Sequence, residues 1–195
     1  MRVYVVYCHP NEDSFTNALF ERARATLTDA GHDVRTSDLY ADGFEPTLSA
    51  VEWRDHPRNT PPTRDVVAYC ENLQWCEALV LVYPTWWGGL PAMLSGWLDR
   101  VLLNGVAWDL TADGTRITGR LHNIRRLVSV TTHGSSKWLN MVEGESGRRV
   151  IGRAVRLLCK RSARTMWVSM YNIDRSTPEQ RAAFVERVHR RLRKL

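Results

Sequence analysis

The chain has no Gly-x-Gly-x-x-Gly fingerprint, no His-Glu-x-x-His pair and no Cys-x-x-Cys. The first absence argues against a Rossmann dinucleotide cradle, and the other two against a zinc hydrolase or a dithiol redox centre. No stretch reaches the about 18 consecutive apolar residues of a membrane span. The opening MRVYVVYCHPNEDS lacks the apolar core and small-residue cleavage site of a secretory leader. A cytoplasmic location is therefore expected. Cysteine is sparse: Cys8, Cys70, Cys76 and Cys159 have no metal-ligand spacing with histidine and read as reduced, mostly buried thiols. No repeat, linker or low-complexity segment divides the 195 residues. A chain of that length buries roughly 70% of its unfolded surface, and one domain spanning residues 1–195 is expected.

What is present is ordinary globular material, 44% hydrophobic and 25% charged. The net charge of +6 raises the question of an acidic partner. The basic residues, however, gather between Arg187 and Lys194 beside an apolar set, Phe184, Val185, Val188 and Leu192. That spacing describes an amphipathic helix with a solvated basic face. No nucleic-acid motif accompanies it, so no nucleic-acid partner is expected.

The order of elements alternates. Arg2 to Tyr7 is a short β-branched and aromatic run, a buried first strand. Ser14 then precedes an amphipathic run, Phe15 to Ala30, stopped by Gly31, with an N-cap at one end and a C′ glycine at the other. Asp33 to Leu39 reads as a second strand. Residues 41 to 62 carry five prolines or glycines and read as a long irregular connection. Thr63 to Cys76 has helical spacing, and Ala78 to Tyr83 is an unbroken apolar strand of the kind a doubly covered parallel sheet requires. Pro91 opens another helix. Arg126 to Thr132 and Thr165 to Ile173 read as strands, and Gly147 to Cys159 and Thr177 to Leu195 as helices. Five β-α units with right-handed crossovers predict an α/β/α three-layer sandwich on a five-stranded parallel sheet in the order 2-1-3-4-5. Asp113-Gly114, between short alternating runs from Val106 to Thr118, predicts a hairpin excursion.

Three loops at the C-terminal ends of strands carry the chemistry. The first, from Cys8 to Asn17, leads into a helix N-terminus, where free N–H groups and about half a positive charge make an anion site. Ser14, Phe15 and Thr16 can offer donors to a phosphate, and His9 a further one. An ordinary N-cap is an equal reading for this segment alone. The loop could also carry a cysteine nucleophile at Cys8, as in low-molecular-weight phosphatases, but no arginine occurs between Cys8 and Arg22 to bind phosphate or lower the thiol pKa. The second loop is the strongest signal, Pro84-Thr85-Trp86-Trp87-Gly88-Gly89. Adjacent tryptophans followed by glycines cannot easily both be core, and at least one should wall a cleft for a planar ligand. The third, Thr131-Thr132-His133-Gly134, taken alone is an ordinary strand-to-helix connection. The three converge on one sheet edge as a mononucleotide-type site, which a flavin fits best.

On these residues, HPNEDSF, PTWWGGLPAMLSGWLDRV and TTHGS, the chain resembles the NAD(P)H:quinone oxidoreductase (DT-diaphorase-like) branch of the flavodoxin-like superfamily from Arg2 to about Met170. The resemblance implies a flavin, FAD with FMN as the alternative, whose phosphates meet His9, Ser14, Phe15 and Thr16. Its ring would lie against Pro84, Thr85, Trp86 and Trp87 and against Thr131, Thr132, His133 and Gly134. Trp108 and Trp138 would line the substrate pocket. The resemblance also implies a homodimer and ping-pong hydride transfer from NAD(P)H to a quinone-like acceptor, with no protein nucleophile and no metal. His133 stands where relatives commonly have glycine, with backbone contact to the flavin the expectation there. The tyrosine and histidine that support reduced flavin in well-known members have no counterpart between Ser135 and Gly147. The rival reading is a flavin-binding regulatory subunit of a potassium-efflux-type transporter, which shares much of the pattern.

Overall fold

The computed structural model describes residues 1–195. β1 (Arg2–Tyr7) is buried from Val3 onwards and pairs in parallel with β2 (Asp33–Asp38) and β3 (Ala78–Pro84). β3 is buried at every position, as a strand covered on both faces must be. A short antiparallel hairpin, β4 (Trp108–Leu110) and β5 (Ile117–Gly119), stands apart from the main sheet. β6 (Arg126–Thr132) pairs with β3, and β7 (Arg164–Met170) forms the far edge. The order β2-β1-β3-β6-β7 is thus the expected 2-1-3-4-5, because the hairpin contributes nothing to the sheet.

The period of two along the strands sorts side chains into two cores. Val3, Val5, Tyr7, Val80, Val82, Val128 and Val130 meet Leu19, Ala23 and Leu27 of α1 (Phe15–Asp29) and Phe184, Val188 and Leu192 of the C-terminal helix. Tyr4, Val6, Leu79, Leu81 and Tyr83 meet Leu94 and Trp97 of α4 (Ala92–Val101) on the other face. Each fully buried aliphatic or aromatic side chain there contributes about 1.5–3 kcal/mol.

Local signals explain the helix ends. Ser14 caps α1, accepting the Asn17 amide at 3.1 Å, and Gly31 follows it at φ 78°. The C-terminal helix, α8 (Pro178–Leu192), begins with a Thr177–Gln180 capping box and a proline in its first turn. Its Arg187, Arg190 and Arg191 are exposed, so the basic run is a solvated face. α3 (Val67–Trp75) lies within its expected range. Residues 146–158 form one helical stretch: α6 (Ser146–Arg149), a π-helical turn (Val150–Val155) and α7 (Arg156–Leu158).

Two helices depart from expectation. The proline-rich segment holds α2 (Ala50–Asp55), started by a Ser49–Glu52 capping box that fits between Pro46 and Pro57. Arg100 of α4, 5% exposed, fastens this excursion by bonds to Glu52 Oε1 at 2.8 Å, Asp65 Oδ2 at 2.6 Å and the Glu45 carbonyl at 2.6 Å. After β6 lies α5 (Lys137–Val142), capped by Ser136. Its Trp138, Leu139, Met141 and Val142 are all exposed, so it has no buried stripe to betray it. No helix is long and apolar enough to cross a membrane.

Candidate functional site

The C-terminal ends of β1, β3 and β6 open onto one edge, where parallel α/β sheets take ligands. Their loops enclose a cleft of about 300 Å³ lined by His9, Ser14, Phe15, Thr16, Pro84, Thr85, Trp86, Thr132 and Gly134. The Phe15 and Thr16 amides, in the opening turn of α1, have no acceptor within the chain, and no acidic residue stands in that turn. These free donors at a helix N-terminus suit a phosphate. The Tyr7 hydroxyl lies 3.4 Å from Ser14 Oγ, and burial pushes its pKa up, so it stays a neutral hydrogen-bonding group. His9 Nδ1 is 3.0 Å from the Asn11 amide, which ties the ring to the loop.

The second loop closes on itself. The Trp86 amide donates to the Gly89 carbonyl at 3.2 Å and the Gly89 amide to the Trp86 carbonyl at 2.9 Å. Trp87 and Gly88 between them have φ 51° and 68°, positive at both central positions as a type I′ turn demands. The turn sets Trp86, 40% exposed, edge-on to His9 with ring centroids 6.2 Å apart. Trp87 is fully exposed. A bulky residue in the left-handed region with nothing packed on it is strained without any return in folding, a pattern concentrated at functional sites.

The third loop is held to the second. The Thr85 amide donates to the Thr132 carbonyl at 2.7 Å, and the Thr85 and Thr131 hydroxyls are 3.1 Å apart. A Cβ added to Gly134 would sit 2.6 Å from Asp174 Oδ2, so any larger residue drives that carboxylate from its place in the cleft wall. Ile173 and Asp174, in a 3₁₀ turn after β7, complete the lining. Neither residue is signalled by the sequence motifs, although β7 ends at the same sheet edge as the three loops.

Three of the twelve expected cofactor residues do not line this cleft. Trp87 projects into solvent, and Thr131 is buried beneath its own hydroxyl contact to Thr85. His133 is 5% exposed and turned inward. Its amide donates to the Met170 carbonyl at 2.8 Å and its carbonyl accepts from Ile173 at 3.0 Å, so the backbone expected to face a flavin is taken up by the end of β7. Asn140 Nδ2 donates to Ser135 and Ser136, which leaves Asn140 Oδ1 to accept the His133 Nδ1 proton at 2.7 Å. Burial lowers the His133 pKa despite that bond, and the ring stacks on Tyr171 with centroids 4.5 Å apart. His133 anchors the loop as a neutral ring.

The two expected pocket tryptophans lie elsewhere. Trp138 is 70% exposed on α5. Trp108 is buried, donates through Nε1 to the Leu102 carbonyl at 2.7 Å, and lines a separate apolar cleft of about 480 Å³ with Leu98, Leu102, Ile117, Val150 and Leu157. Cys8 is wholly buried, and burial pushes its thiol up to about 12. It stays protonated and cannot serve as the nucleophile of a phosphatase.

The family described as "Flavodoxin-like fold" matches residues 1–192. NAD(P)H dehydrogenase [quinone] 1 of Rattus norvegicus is 29% identical over 156 residues, covering 72% of this chain and 56% of the rat protein. An uncharacterized NAD(P)H oxidoreductase of Haemophilus influenzae is 34% identical over 137 residues, covering 70% of this chain and 66% of that one. The chain thus aligns with just over half to about two-thirds of the length of these relatives. Among solved structures, an NAD(P)H:quinone oxidoreductase from Methanothermobacter marburgensis superposes with a TM-score of 0.83 at 25% identity, covering 99% of this chain and 96% of that one.

Proposed function

The chain belongs to the flavodoxin-like fold family, and from that premise we propose that it is a flavin-dependent oxidoreductase passing hydride from NAD(P)H to quinone-like acceptors. The observation that carries the reading is the single cleft in which the first loop's unbonded amides, the Trp86 wall and the Gly134 cradle meet. The residues fit a flavin on three counts. The Phe15 and Thr16 amides and the Ser14 and Thr16 hydroxyls suit a phosphate; Thr85 and Thr132 suit the polar rim of a heterocycle; Trp86 supplies a flat apolar face. FAD and FMN share all of these parts.

A flavin held by these residues would supply the two-electron chemistry that links nicotinamide to acceptor, and a shared site for the two substrates would make the order ping-pong. The chain's own residues bind, orient and exclude water. Ser14 holds the N-terminus of α1 open to the phosphate, and Thr85 locks the second loop to the third. Trp86, in the cleft wall, covers the edge through which solvent would enter. We further propose that the apolar cleft around Trp108, Ile117, Val150 and Leu157 is covered by a second copy of the chain. That would explain two exposed aliphatics, Ile117 at 62% and Leu157 at 75%, which an isolated subunit gains nothing by showing to water. The four unpaired, buried cysteines support a reducing, cytoplasmic setting.

Steady-state NAD(P)H oxidation with benzoquinone tests the activity. Parallel double-reciprocal lines at full rate, with no other protein added, are expected. Intersecting lines would overturn the ping-pong order, and turnover that needs a partner would favour a regulatory subunit.

A further inference from the structure

A separate cleft, of about 450 Å³, lies between the edge strand β7 and the helical stretch 146–158, and it shares no lining residue with the cofactor cleft. Arg148, Arg149 and Arg153 stand along it. Arg148 pairs with Glu145 at 3.0 Å, whereas the guanidiniums of Arg149 and Arg153 meet no carboxylate or other acceptor in the chain.

The floor is unusual for a different reason. Ser129 of β6 and Trp167 of β7 are register partners, so they stand side by side on one sheet face. Ser129 is 1% exposed, yet neither its Oγ nor Trp167 Nε1 reaches a hydrogen-bond partner. Behind them the Tyr83 hydroxyl faces Ser129 Oγ without closing a hydrogen bond of ordinary geometry, and His133 Nε2 is without a partner. The Tyr83 and His133 ring centroids lie 6.5 and 6.3 Å from that of Trp167. Four of the chain's five unpartnered buried side-chain polar atoms therefore gather at one place. Buried polar atoms are nearly always bonded, and such a gathering at the base of a cleft with two unpaired cations marks where a ligand completes the set.

We propose that this cleft is a second binding site, for a small organic anion with a polar inner end. Its phosphate, sulfonate or carboxylate head meets Arg149 and Arg153. Its body lies against Leu127, Ile151 and Trp167, and an acceptor at its inner end takes the Trp167 indole N–H beside Ser129 Oγ. The site is independent of the flavin reading.

The test titrates 4-nitrophenyl phosphate into the full chain saturated with flavin, following the Trp167 indole N–H by ¹H–¹⁵N NMR, assigned through Trp167→Phe. The same titration on flavin-free protein reads the same resonance if no flavin is taken up. One saturable site that shifts this indole is expected. The double variant Arg149→Gln/Arg153→Gln, both at exposed positions, should weaken it by about tenfold or more, and Ser129→Ala by about threefold. Inorganic phosphate should compete at least about tenfold less well, since it lacks the body and the inner acceptor. No saturation, binding indifferent to the arginine variants, or equal competition by inorganic phosphate would each overturn the proposal.

Discussion

The strained Trp86–Gly89 turn offers a substitution in which stability and function should move in opposite directions. Trp87 sits at φ 51° and is fully exposed. Its side chain therefore returns no burial energy, while its backbone occupies a region that costs an ordinary residue roughly 1–2 kcal/mol. Asparagine tolerates that region and completes the Asn-Gly pair favoured by type I′ turns. Trp87→Asn should thus stabilise the chain by about 1 kcal/mol, which in a chain of this size raises Tm by roughly 2–4 °C. The melt is measured on flavin-free protein, because a ligand that binds only the folded state would add its own contribution. Trp87→Ala, which keeps the backbone penalty, should leave Tm within about 1 °C. The same Asn variant should lower kcat/KM for NAD(P)H oxidation by about tenfold, because the solvent-facing indole beside the cleft is lost as a stacking contact for the incoming nicotinamide. A lower Tm for Trp87→Asn, or undiminished turnover, would refute the argument that this turn holds its strain for the sake of the site.

Other perturbations probe the remaining parts. Ser14→Ala removes the cap that accepts the Asn17 amide and should cost about 1 kcal/mol in urea unfolding, with flavin affinity falling alongside in a fluorescence titration. Arg100→Met strands Glu52, 14% exposed, without its partner; a loss of about 3 kcal/mol is expected, since Asp65 is half solvated and contributes little, and limited proteolysis should cut first between residues 42 and 66. His133 has a folded pKa below its ordinary 6.5 because of burial. The unfolded chain binds the extra proton, so stability should be complete above about pH 6.5 and decline as pH falls below it. Denaturant midpoints measured against pH in wild type and His133→Gln check this, and the variant should show a shallower decline.

How far the fold could be read in advance depended on how strongly each segment's pattern was tied to burial. The run Ala78 to Tyr83 is apolar throughout because β3 is covered on both faces, and the capped, amphipathic α1 and α8 carry their ends in their side chains. α2 is obscured by the prolines around it even though a Ser49–Glu52 box marks its start, and what holds that helix down is Arg100, 48 residues beyond Glu52 and invisible to local pattern. α5 buries only Asn140, so no period of 3.6 existed to be seen. The cleft proposed for the cofactor is legible through its Ser-Phe-Thr, Pro-Thr-Trp and Thr-His-Gly loops, since strand ends on a parallel sheet share an edge. Ile173 and Asp174 have no composition cue and reach the cleft only because β7 neighbours β6. The inward turn of His133 is hidden from the sequence for a related reason: its Asn140 partner lies on α5, which carries no helical period.

The central claim, that the three loops hold a flavin competent for hydride transfer, is tested most directly by the visible absorption spectrum of the purified protein. Heat-released cofactor is identified by mass, and the spectrum is repeated after anaerobic NADH or NADPH. Flavin bands that bleach on adding nicotinamide, with a released mass of FAD or FMN, are the expected result. A colourless protein that neither flavin can reconstitute would contradict the assignment of the cleft.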